Sequence, residues 1–141
     1  MSTTRFDRPP LARPLRILMV DDVAEDAELN LRELTRAGLE VSSDVVARRE
    51  EFSVRLSAHD YDLVLADFHL PDWNGYEVLE ILRQQRRHIP LILVTGSIGE
   101  EVVAECIRRG AADYVLKDHL VRLPIAVRRV LAEKTDRKSV V

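Results

Sequence analysis

Five short apolar runs recur along the chain, Ile17 to Val20, Val41 to Ala47, Leu63 to Ala66, Leu91 to Val94 and Tyr114 to Leu116, and a helix-length amphipathic stretch follows each. Runs of this length suit strands buried on both faces, because a strand with one wet face would alternate apolar and polar residues. The second run is weaker, reading Val-Ser-Ser-Asp-Val-Val-Ala. A strand-then-helix alternation repeated in this way leaves few arrangements: the strands lie parallel in one sheet and helices cover both of its faces. The expected class is α/β, a single doubly wound five-stranded parallel sheet. At 141 residues the chain makes one domain, large enough for one core.

The punctuation agrees with this segmentation. Glycines 38, 75, 96, 99 and 110 all fall at proposed element boundaries. Asn74-Gly75-Tyr76-Glu77 and Ser97-Ile98-Gly99-Glu100 each fit a helix cap followed three residues later by a glutamate. Val78, Leu79 and Leu82, and likewise Leu120, Leu123, Val127, Val130 and Leu131, recur at helical spacing and should face the sheet. A short turn from His119 and a helix from about Pro124 are expected. Arg86-Arg87 and Arg108-Arg109 read as last turns of helices, and Glu25-Asp26 and Glu100-Glu101 as first turns, the signs that the helix dipole favours. Residues 1 to 14, with Pro9, Pro10 and Pro14, read as a flexible lead-in, and 134 to 141 as a tail or the start of a linker.

Composition removes several functions. The single cysteine, Cys106, excludes an internal disulfide and any metal-binding cysteine set. The amino-terminal stretch lacks the apolar core of a signal peptide, and no segment is long enough to span a bilayer, so a cytoplasmic protein is expected. A net charge of −3 argues against nucleic-acid binding, which normally needs a cationic excess.

The chemistry collects where the apolar runs stop. Asp21 and Asp22 end the first run, Asp67 the third, Thr95 the fourth and Lys117 the fifth. In an open α/β sheet the carboxyl ends of the strands are where ligands bind. Three carboxylates brought together there repel one another, so a proton or a cation must join them. An oxygen-only site of this charge suits Mg²⁺, which also accepts phosphate oxygens. With Lys117 and Thr95 offering donors to an anion, Asp67 is placed to attack a phosphoryl group and become an acyl phosphate. Each residue has a plainer role by itself: Asp22 as a helix cap, Asp21 and Asp67 as turn acids, Thr95 as a cap, Lys117 as a solvated strand end. The set, spread over four strands, favours the functional reading.

Val20-Asp21-Asp22, Leu65-Ala66-Asp67 with Leu70-Pro71 and Gly75, Val94-Thr95-Gly96, and Asp113-Tyr114-Val115-Leu116-Lys117 occur in this order. That combination resembles the response-regulator receiver domain, the phosphoacceptor half of two-component signalling, over about residues 15 to 133. The resemblance implies a flavodoxin-like sheet in the order 2-1-3-4-5 with five helices. It implies that Asp67 receives a phosphoryl group from the phosphohistidine of a histidine kinase or phosphotransfer protein. Mg²⁺ would be held by Asp21, Asp22, Asp67 and the backbone carbonyl of His69. Lys117 would contact the phosphoryl group, and Thr95 would swing toward it while Tyr114 turns inward. The face made by the fourth helix, fifth strand and fifth helix would then change, and two copies could pair through it. Such a domain is not a conventional enzyme, but is expected to catalyse its own phosphorylation and dephosphorylation.

One departure from the family pattern and two residues at the mouth of the site carry expectations. Asp118 stands where proline is usual, so a cis peptide bond is not expected and Asp118 should cap the next turn. His69 contributes through its backbone, leaving its imidazole at the mouth of the site. Gly96 leaves the site open to water, so the phosphorylated form should not be unusually long-lived. Competing readings are an aspartate-dependent phosphatase of haloacid-dehalogenase type, which needs an acid where His69 stands, and a flavodoxin-type binder, whose phosphate Asp21-Asp22 would repel. A receiver-like interaction module working without phosphorylation is the third. The expected setting is either a stand-alone receiver that docks to or relays phosphate among partners, or part of a longer protein; Gly-Ser-Ile-Gly-Glu-Glu and Leu-Lys-Asp-His-Leu lean toward the second, receivers joined to sensor or kinase modules.

Overall fold

The computed structural model describes residues 13–139. Five strands form one parallel sheet: β1 (Leu15–Val20), β2 (Val41–Val46), β3 (Leu63–Ala66), β4 (Leu91–Thr95) and β5 (Asp113–Leu116). Their order is β2-β1-β3-β4-β5, as expected. The helices are α1 (Ala24–Arg36), α2 (Arg49–Ala58), α3 (Gly75–Gln84), α4 (Glu100–Arg108) and α5 (Leu123–Ser139), with a 3₁₀ turn over Lys117–Arg122 before α5. Among the described residues no peptide bond is cis.

Alternation along the strands divides the core in two. Ile17 and Met19 of β1, Leu63 and Leu65 of β3, and Ile92 and Val94 of β4 face α1 and α5, meeting Ala27, Leu34, Leu123, Val127 and Val130. Leu18, Val20, Val64, Ala66, Leu91 and Leu93 face the other way, meeting Phe52 and Leu56 of α2, Val78, Leu79 and Leu82 of α3, and Cys106 of α4. A strand needed on both sides has no room for a polar alternate, which is why the third and fourth runs read as unbroken apolar sequence. The second run is more polar because β2 lies at the sheet's edge.

Several helix ends differ from expectation. The Asn74 box forms: its side chain accepts from the Tyr76 and Glu77 amides at 2.9 and 3.3 Å, and Glu77 accepts from the Asn74 amide at 3.0 Å. The Ser97 box does not, because α4 starts two residues later with Gly99 as its cap. α3 stops at Gln84, so Arg86-Arg87 lies beyond its last turn. Arg86 takes a left-handed backbone (φ 55°), the conformation that Gly38 and Gly110 supply after α1 and α4. Arg87 is then turned back to donate to the carbonyls of Leu56 and His59 at 2.5 and 3.2 Å, tying α3 to the end of α2. Asp118 caps nothing; its side chain is exposed beside His119.

The lead-in expected over 1–14 lies outside the described residues as far as residue 12. Arg13 is held, donating to both oxygens of Asp62 at 2.8 and 2.9 Å. At the other end α5 runs through Ser139, across most of the segment read as a tail.

Candidate functional site

The register of the sheet assembles the acidic edge. Val20 pairs with Ala66, Ala66 with Leu93, and Thr95 with Leu116. Asp21 and Asp67, the residues immediately after Val20 and Ala66, therefore emerge side by side from β1 and β3. Their amides extend the ladders, Asp21 donating to Val46 and Asp67 to Val20, both at 2.9 Å. Lys117 follows Leu116 at the same edge, and Thr95 ends β4.

The side chains converge as that register requires. Thr95 Oγ1 donates to Asp67 Oδ1 at 2.7 Å, and Lys117 Nζ to Asp67 Oδ2 at 2.8 Å. Lys117 Nζ also lies 3.2 Å from Asp21 Oδ2. Oxygens of Asp21, Asp22 and Asp67 can be chosen that all lie within 4.8 Å of one another. Asp21, Asp67 and Thr95 are buried, with Thr95 0% exposed, while Asp22 faces solvent. The acidic set is thus closed on the sheet side and open at Asp22.

The plainer roles can be weighed against this geometry. Asp22 does not cap α1, whose cap residue is Val23 with no side-chain bond. Asp21 does serve its turn, accepting from the Val23 amide at 3.0 Å through Oδ1, and Oδ2 remains turned to Lys117. Burial pushes the Asp21 carboxyl above the ordinary carboxylate range, against the lowering effects of the Val23 amide and Lys117. Burial alone would lower the Lys117 ammonium; the carboxylates of Asp26, Asp67 and Asp21 outweigh it and hold the lysine above its ordinary value. Lys117 is charged, and its charge is spread over three acids.

One of those three was not legible as a site residue. Asp26, in the first turn of α1, accepts from Lys117 Nζ at 2.7 Å. Its place in the first turn of α1 suggested only a dipole-stabilising acid, and no local spacing signals a contact made 91 positions away.

The remaining expected residues lie around this centre. His69 is in a two-residue ladder, pairing with Asn74 as Leu70 pairs with Trp73, and its exposed ring stands edge-on to Phe68. Tyr114, half-buried, packs against the core on the α4 side of the sheet. Gly75 makes the tight exit from Asp67 possible: a Cβ there would lie 2.7 Å from Phe68 Cδ1 and 3.3 Å from Leu93 Cδ2. Space beside Gly96 is open, with nothing within 4 Å of an added Cβ.

The sequence profile of the response regulator receiver domain matches residues 17–128. The chain belongs to the response regulator receiver family. Among curated relatives, the receiver is 32% identical over 124 residues to the cell cycle response regulator CtrA of Brucella ovis, covering 82% of this chain and 51% of that protein. It is 30% identical over 104 residues to the transcriptional regulatory protein MalR of Bacillus subtilis, covering 73% of this chain and 44% of that one. The chain thus spans about half the length of these curated relatives. A CheY-like receiver domain from Methanospirillum hungatei superposes with a TM-score of 0.76 at 28% identity, covering 89% of this chain and 99% of that one. Among the described residues, no helix is long and apolar enough to cross a membrane.

Proposed function

We propose that this receiver is a phosphoacceptor in a two-component phosphorelay, with Asp67 as the residue that takes the phosphoryl group from a phosphohistidine of a histidine kinase or phosphotransfer protein. The observation that carries this is the grip on Asp67: a hydroxyl on one oxygen, an ammonium on the other, and two further carboxylates within reach of a shared cation. An Asp67 oxygen forms the new bond to phosphorus. The P–N bond of the donor breaks and its electron pair returns to the imidazole. Lys117 and Thr95 fix the plane of the Asp67 carboxylate before attack and are placed to follow the charge onto the phosphoryl oxygens.

The donor set fits Mg²⁺: oxygen atoms only, two acids buried and one open to solvent, with no nitrogen or sulfur ligand in the cluster. Asp21, Asp22 and Asp67 would hold it, with the backbone carbonyl of His69. Mg²⁺ supplies positive charge that offsets the acids and the incoming phosphoryl oxygens. Thr95 and Tyr114 would carry the switch. Its readout would be the face of α4, β5 and α5, where Ile125 is exposed and Arg129 of α5 and Arg122 of the preceding turn meet Asp113. Pairing of two copies would use that face. A cytoplasmic setting agrees with this reading, and nucleic acid is not an expected ligand of the domain.

Intact mass after incubation with a small acyl phosphate tests the proposal. One phosphoryl group should be gained with Mg²⁺ and not without it, and Asp67→Asn should gain none. If neither this donor nor a phosphorylated kinase transfers to the wild type, the phosphoacceptor reading is wrong and a phosphorylation-independent interaction module replaces it.

A further inference from the structure

Lys117 has three N–H donors and three acidic neighbours, Asp26, Asp67 and Asp21, at 2.7, 2.8 and 3.2 Å. Two of these neighbours belong to the trio whose oxygens gather within 4.8 Å, and the third, Asp26, does not. That division decides what happens when a divalent cation enters. Asp21 and Asp67 must turn charge toward the cation, which weakens their hold on the ammonium and sets like charges close together. Asp26 lies outside that trio and is carried by a different element, the first turn of α1, so a cation held by the trio makes no direct demand on its carboxylate. There the helix N-terminus stabilises the anion independently of the lysine.

We infer that Asp26 is a positioning residue for the phosphoryl-binding lysine: it holds Lys117 at the mouth of the site once Asp21 and Asp67 are committed to a cation. The inference deepens the phosphoacceptor reading and rests on it for its kinetic consequence, though not for its structural one. The alternative is that Asp26 only favours the start of α1, as any first-turn acid does. Glu25, its neighbour in the same turn, supplies the comparison, since it has the same charge and is not among the three acids that Lys117 meets.

The structural arm uses Mg²⁺ alone. The Lys117 ammonium protons should stay visible by ¹⁵N-resolved NMR in Mg²⁺-loaded wild type and in Glu25→Gln, and be lost from Asp26→Asn through faster exchange. Retention in Asp26→Asn overturns the inference, whether or not the protein accepts phosphoryl groups. The kinetic arm follows mass gain from acetyl phosphate at saturating Mg²⁺. Asp26→Asn should slow it at least fivefold, and Glu25→Gln by less than twofold. In a Lys117→Met background Asp26→Asn should change the residual rate by less than twofold, because residues acting through one another are not additive. Equal effects of Asp26→Asn in both backgrounds, an effect no larger than that of Glu25→Gln, or a faster reaction would each overturn it. Absence of mass gain from wild type, with the NMR result as expected, would count against the phosphoacceptor reading and leave the positioning role standing.

Discussion

Asp21 shows what the site costs the fold. Its carboxyl is buried, and burial raises it above the ordinary carboxylate range. A carboxyl raised in the folded state favours folding most when protonated, so its contribution is full below the unfolded value and is lost as pH rises through the folded one. At neutral pH Asp21 is a liability without a cation. Asp21→Asn is therefore expected to melt higher than wild type at pH 7 in the absence of divalent ions, with the difference shrinking toward pH 4. Mg²⁺ should raise the melt of wild type and fail to raise that of Asp21→Asn. Thermal melts at two pH values, with and without Mg²⁺, check all three. Gly96 tests the other side of the reaction. Its surroundings are empty and its backbone is not left-handed, so a side chain fits there. Gly96→Met should screen the phosphorylated Asp67 from water and lengthen its lifetime several-fold, read as decay of the phosphorylated mass; an unchanged decay rate would refute the screening role.

Among the elements, α3 depends most on its first turn. Asn74 accepts from two amides there and donates its own to Glu77, at the end of the short hairpin that follows Asp67. Asn74→Ala should cost about 1 kcal/mol of stability, measured as a shift in denaturant midpoint at constant slope. Gly75→Ala should cost more, about 1–3 kcal/mol, because its Cβ would press on Phe68, which is itself packed against His69 and Tyr76. The element scale also shows which signals a sequence carries. The Asn74 box was legible because every partner lies within four residues. The Ser97 box matched the same pattern and failed, since the pattern does not say where the chain leaves β4 and enters α4. Gly38 and Gly110 announced the ends of α1 and α4, whereas Arg86 did the same work for α3 with a residue that gives no such notice. Asp26 went unread for a related reason. A first-turn acid is explained by the helix dipole, and only its contact with Lys117, 91 positions away in sequence, shows that it has a second role.

At the scale of the molecule, the apolar runs made the class of the fold legible, and the order of the sheet came with the family resemblance. The runs reveal double-sided burial, and the polar residues that end them mark one edge. Which strands neighbour each other is a long-range fact that periodicity does not contain. The whole domain should also respond to its ligand. Cation binding to the folded state alone stabilises by mass action, about 2.7 kcal/mol at a Mg²⁺ concentration one hundred times the dissociation constant. A calorimetric melt should rise accordingly in wild type. In Asp67→Ala the rise should be largely lost.

Trp73 is the chain's one tryptophan, and it is buried in the hairpin between Asp67 and α3, its indole N–H donating to the Ala47 carbonyl at 2.9 Å and its ring 5.8 Å from Phe52. The indole thus shares a short, tightly turned segment with Asp67 while touching the loop that leads into α2. Every photon of tryptophan emission from this domain comes from that one place. A shift in emission wavelength or intensity on loading the acidic edge would give its occupancy in real time, without a dye or a fused reporter.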